Sequence, residues 1–380
     1  GCTGITGKIY ISEETTLGSS IFYGCTGIEE IEIADGRKKE LGYEMFRYCT
    51  GMKKIKMPIS LDSERYSSFV FSGVTNLREV ILSKGTGLGY NYYSGGTPWY
   101  YSRENKPIIT IEDGVTRIGN NTFRNCSGIE QIILPNTVTI IGSNAFENCT
   151  TLVNLEVPNK VTSIGSYAFN GCSSLESEVD LSNVTSIGSY AFYDCKKMKG
   201  NWNLSSSLTT IGEKAFYNCW KRNGSIDLSN IKSIGANAFY QCIGITGNIN
   251  LKNITSIGEY GFYGCTGITG NIDLSGMKTI SQYSFSGCTG ISGTLDFNGI
   301  TQIGSNSFSR CTGMKGIINL DEGVVVNSEA FSGCTGITSS VDISQVKSLE
   351  SSVFSGCTGI TGKIYISEET TLGSSIFYGC

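Results

Sequence analysis

The chain has 380 residues, with 49 glycines, 15 cysteines, no histidine and a formal net charge of −4. So small a charge gives no electrostatic ground for nucleic acid or an anionic membrane as partner, and no apolar run approaches the ~18 residues of a membrane-spanning helix. The absence of histidine removes the commonest general base and a common metal ligand, and with them a Ser-His-Asp site within this chain.

The first segment, "GCTGITGKIYISEETTLGSSIFYGC" at residues 1–25, returns unchanged at 356–380. Between these copies a shorter period runs through the chain. Cysteines stand at 2, 25, 49, 126, 149, 172, 195, 219, 242, 265, 288, 311, 334, 357 and 380, spaced by 23 or 24 except between 49 and 126. That gap holds Val74 in "FSGVTNL" at the cysteine position, followed by room for one ordinary coil and one with an insertion. Fifteen of the 17 phenylalanines, Phe146, Phe169 and Phe192 among them, sit three residues before a cysteine or Val74. The chain thus reads as about 16 coils, each as long as one cysteine spacing.

In chain order, residues 1–82 read as the end of one repeat array. Residues 83–107 form an aromatic, glycine-rich insert, and 108–380 a continuous array. Residues 266–288, "TGITGNIDLSGMKTISQYSFSGC", show a coil without interruptions. "NIDLS" alternates as a half-buried strand does, "MKTIS" is a second short extended run, and "QYSFSGC" reads as one helical or 3₁₀ turn. A coil this short cannot bury its apolar side chains alone, whereas stacked coils can, their strands pairing about 4.8 Å apart in parallel sheets. The expected fold is a mainly β solenoid of leucine-rich-repeat-like coils.

Residues 134–172, "LPNTVTIIGSNAFENCTTLVNLEVPNKVTSIGSYAFNGC", resemble the BspA-like leucine-rich repeats, with their apolar-x-x-apolar-x-apolar-Pro run and Val-x-x-Ile-Gly-x-x-Ala-Phe-x-x-Cys pattern. The resemblance covers nearly the whole chain. From residue 200 onward it departs: serine or lysine replaces the proline and a Gly-x-Ile-Asp pattern takes over. The resemblance implies a surface or secreted protein of bacteria or protists, associated with adhesion rather than catalysis.

Three sets of residues carry candidate chemistry. One cysteine per coil lacks the close pairing of a zinc site, and neighbouring coils hold the positions slightly too far apart for easy bridging. Cys126, Cys149, Cys172, Cys195, Cys219, Cys242, Cys265, Cys288, Cys311 and Cys334 are therefore expected to form a ladder of buried thiols, with a disulfide framework as the alternative. On the strand face, eight successive coils carry Asp180, Asn203, Asp227, Asn250, Asp273, Asp296, Asn319 and Asp342. The structural reading is a solvated face with a side-chain hydrogen-bond ladder. The functional one is a row of weak calcium sites at Asp180, Asp227, Asp273, Asp296 and Asp342, since calcium favours clustered oxygens. In the insert, Tyr90, Tyr92, Tyr93, Trp99, Tyr100 and Tyr101 fall within one short stretch. They suit a sugar- or peptide-binding loop, or a cap or junction packed on the array, as "TPWYYSRENKPIITIEDGVTRIG" in the resembled family implies. Seven Asn-x-Ser/Thr sequons matter only in a eukaryotic secretory host, and "GLGYNYYSGG" lacks the Lys-Ser/Thr ending of a phosphate loop.

No cofactor and no enzymatic activity is expected. Ordinary coils have diverged, so identity over the whole of segment 1–25 implies a longer period of about 355 residues, or 15 coils, running from Gly1 to Gly356. With no cap-like sequence at either terminus, the chain reads as a window on a longer periodic molecule or as a unit that stacks end to end. The expected function is that of an extracellular structural protein, a segment of a fibre or a very long tandem-repeat surface protein whose chief partner is itself. The alternative is a cell-surface adhesin gripping a host, matrix or carbohydrate ligand through its sheet face or aromatic insert.

Overall fold

The computed structural model describes the chain except residues 1, 3, 38–40, 59–68, 84–98, 100–102, 294, 317 and 339. It is a parallel β-solenoid of stacked coils, divided into two compact units at Gly1–Val179 and Asp180–Cys380. Among the described residues the sole helical segment is a 3₁₀ turn at Arg103–Asn105, and no helix is long and apolar enough to cross a membrane.

In the first unit, one six-stranded sheet collects a strand from each successive coil. β1 (Gly7–Ile11), β2 (Ile28–Ile33), β3 (Lys54–Pro58), β4 (Glu79–Ser83) and β5 (Ile108–Ile111) pair in that order, and Ile132–Ile133 adds the sixth strand. Alternation sets which side chains face inward: Ile31, Ile33, Ile55, Met57, Val80, Leu82, Ile109 and Ile111 are buried. The sheet crosses the insert without a break, since Val80 of β4 pairs with Ile109 of β5.

A second, narrower ladder begins beyond β5. It runs through Arg117–Ile118, Ile140–Ile141 and Ser163–Ile164 in the first unit. In the second unit it runs through Thr210–Ile211, Ser233–Ile234 and Ser256–Ile257, and again from Thr279–Ile280 to Thr371–Leu372. The second residue of each pair, most often isoleucine, is buried except at Leu372, and the first is exposed or half-buried. A glycine after this strand lets the backbones meet: a Cβ on Gly165 would lie 2.5 Å from the Ser143 nitrogen one coil below.

The "NIDLS" run departs from the strand expected of it. In the coil of residues 266–288 no ladder forms over 271–275, and isolated parallel bridges Gly247↔Ile268 and Gly270↔Ile291 take its place. Asp273 Oδ1 accepts a hydrogen bond from the Ser275 N–H at 3.0 Å, an aspartate turn at the end of the run. Asp342 makes the same turn with Ser344 beside a strand, so the turn alone does not exclude a ladder. Strands do form here in later coils, at Ile318–Asn319, Val341–Ile343 and Ile364–Ile366.

Candidate functional site: the ladders between coils

The "QYSFSGC" segment, expected as one helical or 3₁₀ turn, is three linked reverse turns. Ser284, Ser286 and Cys288 N–H groups donate to the carbonyls of Ser281, Tyr283 and Phe285, each three residues back. The intervening N–H groups of Tyr283, Phe285 and Gly287 donate instead to Ser305, Ser307 and Ser309 of the next coil, at 2.9, 2.8 and 2.8 Å. A continuous 3₁₀ turn would direct every donor inward. Here the backbone turns left-handed at Tyr283 (φ 55°) and Gly287 (φ 75°), the third positions of the outer two turns, as in type II turns. Alternate donors then point along the solenoid, and the turns become another intercoil ladder.

Inside this ribbon the phenylalanines stack. Centroids of Phe123–Phe146 and Phe146–Phe169 lie 5.3 and 5.1 Å apart with planes within 12°. In the second unit the series continues through Phe192–Phe216 at 5.4 Å to Phe354–Phe377 at 5.5 Å.

The cysteines between Cys25 and Cys357 are buried, and all fifteen are free thiols. The Cys172 thiol donates to the Phe146 carbonyl of the preceding coil at 3.0 Å, and the same bond recurs from Cys242 to Phe216 and from Cys288 to Phe262, each at 3.0 Å. That carbonyl also accepts the N–H of the cysteine in its own coil, as Phe146 does from Cys149 at 3.1 Å. Both lone pairs are thus used. Burial pushes the Cys172 and Cys288 thiols up to about 12, which leaves neither a nucleophile at neutral pH.

The acidic row is likewise turned to structure. Asp180, Asp227, Asp273, Asp296 and Asp342 each accept the backbone N–H two residues ahead at 2.9–3.0 Å, and Asn250 does the same at 3.1 Å. These bonds stay within the coil and make a repeated turn. Hydrogen bonds from Ser275 and Ser344 hold the Asp273 and Asp342 carboxyls below their ordinary range. Among the described residues no three Cys, Asp or Glu side chains group as a metal ion would need.

Of the insert aromatics, Tyr90, Tyr92, Tyr93, Tyr100 and Tyr101 lie outside the described residues. Trp99 is 1% exposed. Its ring lies 5.6 Å from Phe123 and its Nε1–H donates to Cys126 Sγ at 3.2 Å. Trp99 takes the place in the aromatic ladder that phenylalanine holds elsewhere, and packing is its visible role.

Sequence reasoning missed three features. Two buried arginines clasp carbonyls of the preceding coil: Arg37 Nη1 donates to Ser12 and Thr15 at 2.9 and 2.8 Å, and Arg222 Nη2 donates to Asn201 while its guanidinium lies over Trp202. On the first unit's sheet, charges pair across strands, as in Lys8–Glu32 at 2.6 Å and Lys54–Glu79 at 3.1 Å. In the second unit, half-buried Tyr193, Tyr217, Tyr240 and Tyr263 stack at 4.7, 4.5 and 4.7 Å, and Tyr260 stacks on Tyr283 at 4.6 Å. This last stripe was legible as tyrosine after phenylalanine in four successive coils.

Parallel strands, a buried aromatic and a buried thiol recurring in most coils, and turn ribbons in place of helices define a leucine-rich-repeat solenoid. The pattern of the BspA type leucine rich repeat region matches residues 1–97, 96–223, 177–292, 209–338 and 294–380. The chain belongs to that family. It is similar in fold to a leucine-rich repeat protein from Bacteroides ovatus, at 21% identity and a TM-score of 0.57 over 96% of this chain and 87% of that one. Matches also include a leucine rich cell surface protein from Faecalibacterium prausnitzii (20% identity, TM-score 0.36, 95% and 87% covered) and a leucine-rich repeat protein from Eubacterium ventriosum (21%, 0.45, 74% and 91%). No curated protein matches the chain.

Proposed function

We propose that the chain is a non-enzymatic extracellular structural protein, a segment of a fibre or of a very long tandem-repeat surface protein. The observation that carries this is the return of the coil sequence of residues 1–25 at 356–380, against a background of diverged coils. The use of side chains supports it. Thiols, aspartates and buried arginines bind carbonyls and amides of the solenoid itself, and the first unit's sheet charges bind one another. Electron microscopy of native material, with intact mass of the denatured chain, tests the reading. Threads, or a polypeptide much longer than the present chain, are expected. Monodisperse particles of a chain of this length would sink it.

The tyrosine stripe favours a second reading, an adhesin at the cell surface. Seven tyrosines from Tyr190 to Tyr283 present half-buried rings over five coils, and tyrosine is a residue of binding surfaces. Its stacked rings hide their faces from each other, so a ligand would meet ring edges and hydroxyls. Tyr217→Ser with Tyr240→Ser separates the readings: an adhesin loses attachment to its matrix, and a fibre keeps its threads.

A further inference from the structure

The repeated coil has two faces, and the structure shows a partner for each. As residues 1–25 its upper face is covered by 26–49. Ser20, Phe22 and Gly24 N–H groups donate to Tyr43, Met45 and Arg47 at 2.8, 3.0 and 2.8 Å. Phe22 stacks on Phe46, Lys8 pairs with Glu30 and Glu32, and Arg37 clasps the Ser12 and Thr15 carbonyls. As residues 356–380 its lower face is covered by the preceding coil. Ser374, Ile376 and Tyr378 carbonyls accept from Ser352, Phe354 and Gly356 at 2.9, 2.9 and 2.7 Å, and the Cys380 thiol donates to Phe354.

The two faces use different groups. The upper face gives N–H donors from Ser375, Phe377 and Gly379, the counterparts of Ser20, Phe22 and Gly24. The lower face gives the carbonyls of the alternate residues. One coil can satisfy both partners at once, with no group required twice.

We propose that residues 356–380 of one copy of this chain seat on residues 26–49 of a second copy, in the place held there by its own residues 1–25. Lys363 then meets Glu30 and Glu32 of the second copy, and the Arg37 side chain clasps the Ser367 and Thr370 carbonyls. Each exchange makes one coil–coil interface and breaks one of identical sequence. It frees segment 1–25 of the second copy from order, returning its conformational entropy. The contact is head to tail and does not close on itself, so it propagates as a filament. This inference rests on the fibre reading and gives it a junction.

The test uses the full chain. Isotopically light and heavy chains are mixed, concentrated and incubated, then treated with a carbodiimide, which joins lysine to carboxylate. Oligomers growing with concentration are expected, with light–heavy peptides linking Lys363 to Glu30 or Glu32. K363E should cut oligomer yield at least tenfold, because it weakens only the exchanged seat and leaves Lys8 on Glu30 and Glu32. Adding E30K/E32K, which then repels Lys8 and pairs with the carboxylate that K363E introduces, should restore it. K363E changes no residue of segment 1–25, so a general folding defect would not be rescued this way. Oligomers without the Lys363 links, or a K363E variant that associates normally, overturn the exchange and leave the fibre reading standing. A chain that stays monomeric at every concentration overturns the exchange, and threads in native material would then have to be covalent arrays.

Discussion

The thiol of Cys172 lies 3.0 Å from the carbonyl oxygen of Phe146, one coil below it, and donates to it. The bond explains why the position is cysteine rather than another small residue: the thiol fits a buried slot and satisfies a second lone pair. It also sets a pH limit. Burial pushes Cys172 and Cys288 up to about 12 and raises Cys149, Cys242, Cys265 and Cys311. The folded chain therefore keeps protons that the unfolded chain releases above the ordinary thiol range. Stability falls as pH rises from about 8.5 towards 12, by about 1.4 kcal/mol per pH unit for each thiol so held. Urea midpoints should be level between about pH 7 and 8 and drop steeply above about pH 9. A level midpoint through about pH 10 would contradict the ladder.

Phe262 is fully buried between Phe239 at 5.2 Å and Phe285 at 5.6 Å. Phe262→Ala removes stacking on both sides and leaves a cavity that neighbouring coils cannot close without shifting their ladders. A loss of about 3–5 kcal/mol is expected. Phe262→Leu keeps much of the volume and should lose less. Denaturant unfolding of both variants checks the order, and equal losses would mean that the rings add nothing beyond bulk.

The coil period, the buried columns and the aromatic series were legible because a stacked repeat places equivalent residues over one another. Strand extent was less so. The repeated segment forms β1 at Gly7–Ile11 beside residues 28–33, yet in its second copy it forms Ile364–Ile366 and Thr371–Leu372 beside the coil of 334–357. The two copies are identical in sequence, so the neighbouring coil decides which donors find a ladder. The turn ribbon was hidden for another reason. Tyr283, Lys214 and Glu329 all take positive φ, a conformation that their side chains disfavour and that no local signal announces. Three tiers of hydrogen bonds to the next coil outweigh that cost. Trp99 was open to counting, since it precedes Phe123 by one coil period.

Asp273 separates a turn from a metal site. Its carboxylate accepts the Ser275 N–H and is held in its ionised form by that bond and the Ser275 hydroxyl. Asp273→Asn keeps an acceptor, as Asn250 does in the preceding coil, and should be nearly neutral. Asp273→Ala should lose about 1 kcal/mol. With the folded-state carboxyl lowered, its contribution is present at neutral pH and is lost as pH falls through the carboxylate range. A chelator should leave Tm unchanged. A fall in Tm on chelation, restored by calcium, would replace the turn with a calcium row.

Trp99 decides what the aromatic insert does. It lies against Phe123 and donates to Cys126 Sγ, so its ring belongs to the core column rather than to a binding face. Trp99→Ala should lose about 3–5 kcal/mol, as truncation of a buried large aromatic does. Trp99→Phe restores the residue type of the column and forfeits only the indole hydrogen bond and some volume, so about 1–2 kcal/mol is expected. Denaturant midpoints measure both. If Trp99→Ala unfolds at the same denaturant concentration as the parent chain but no longer attaches to a carbohydrate or matrix array that the parent binds, Trp99 is a ligand contact and its place in the ladder is incidental.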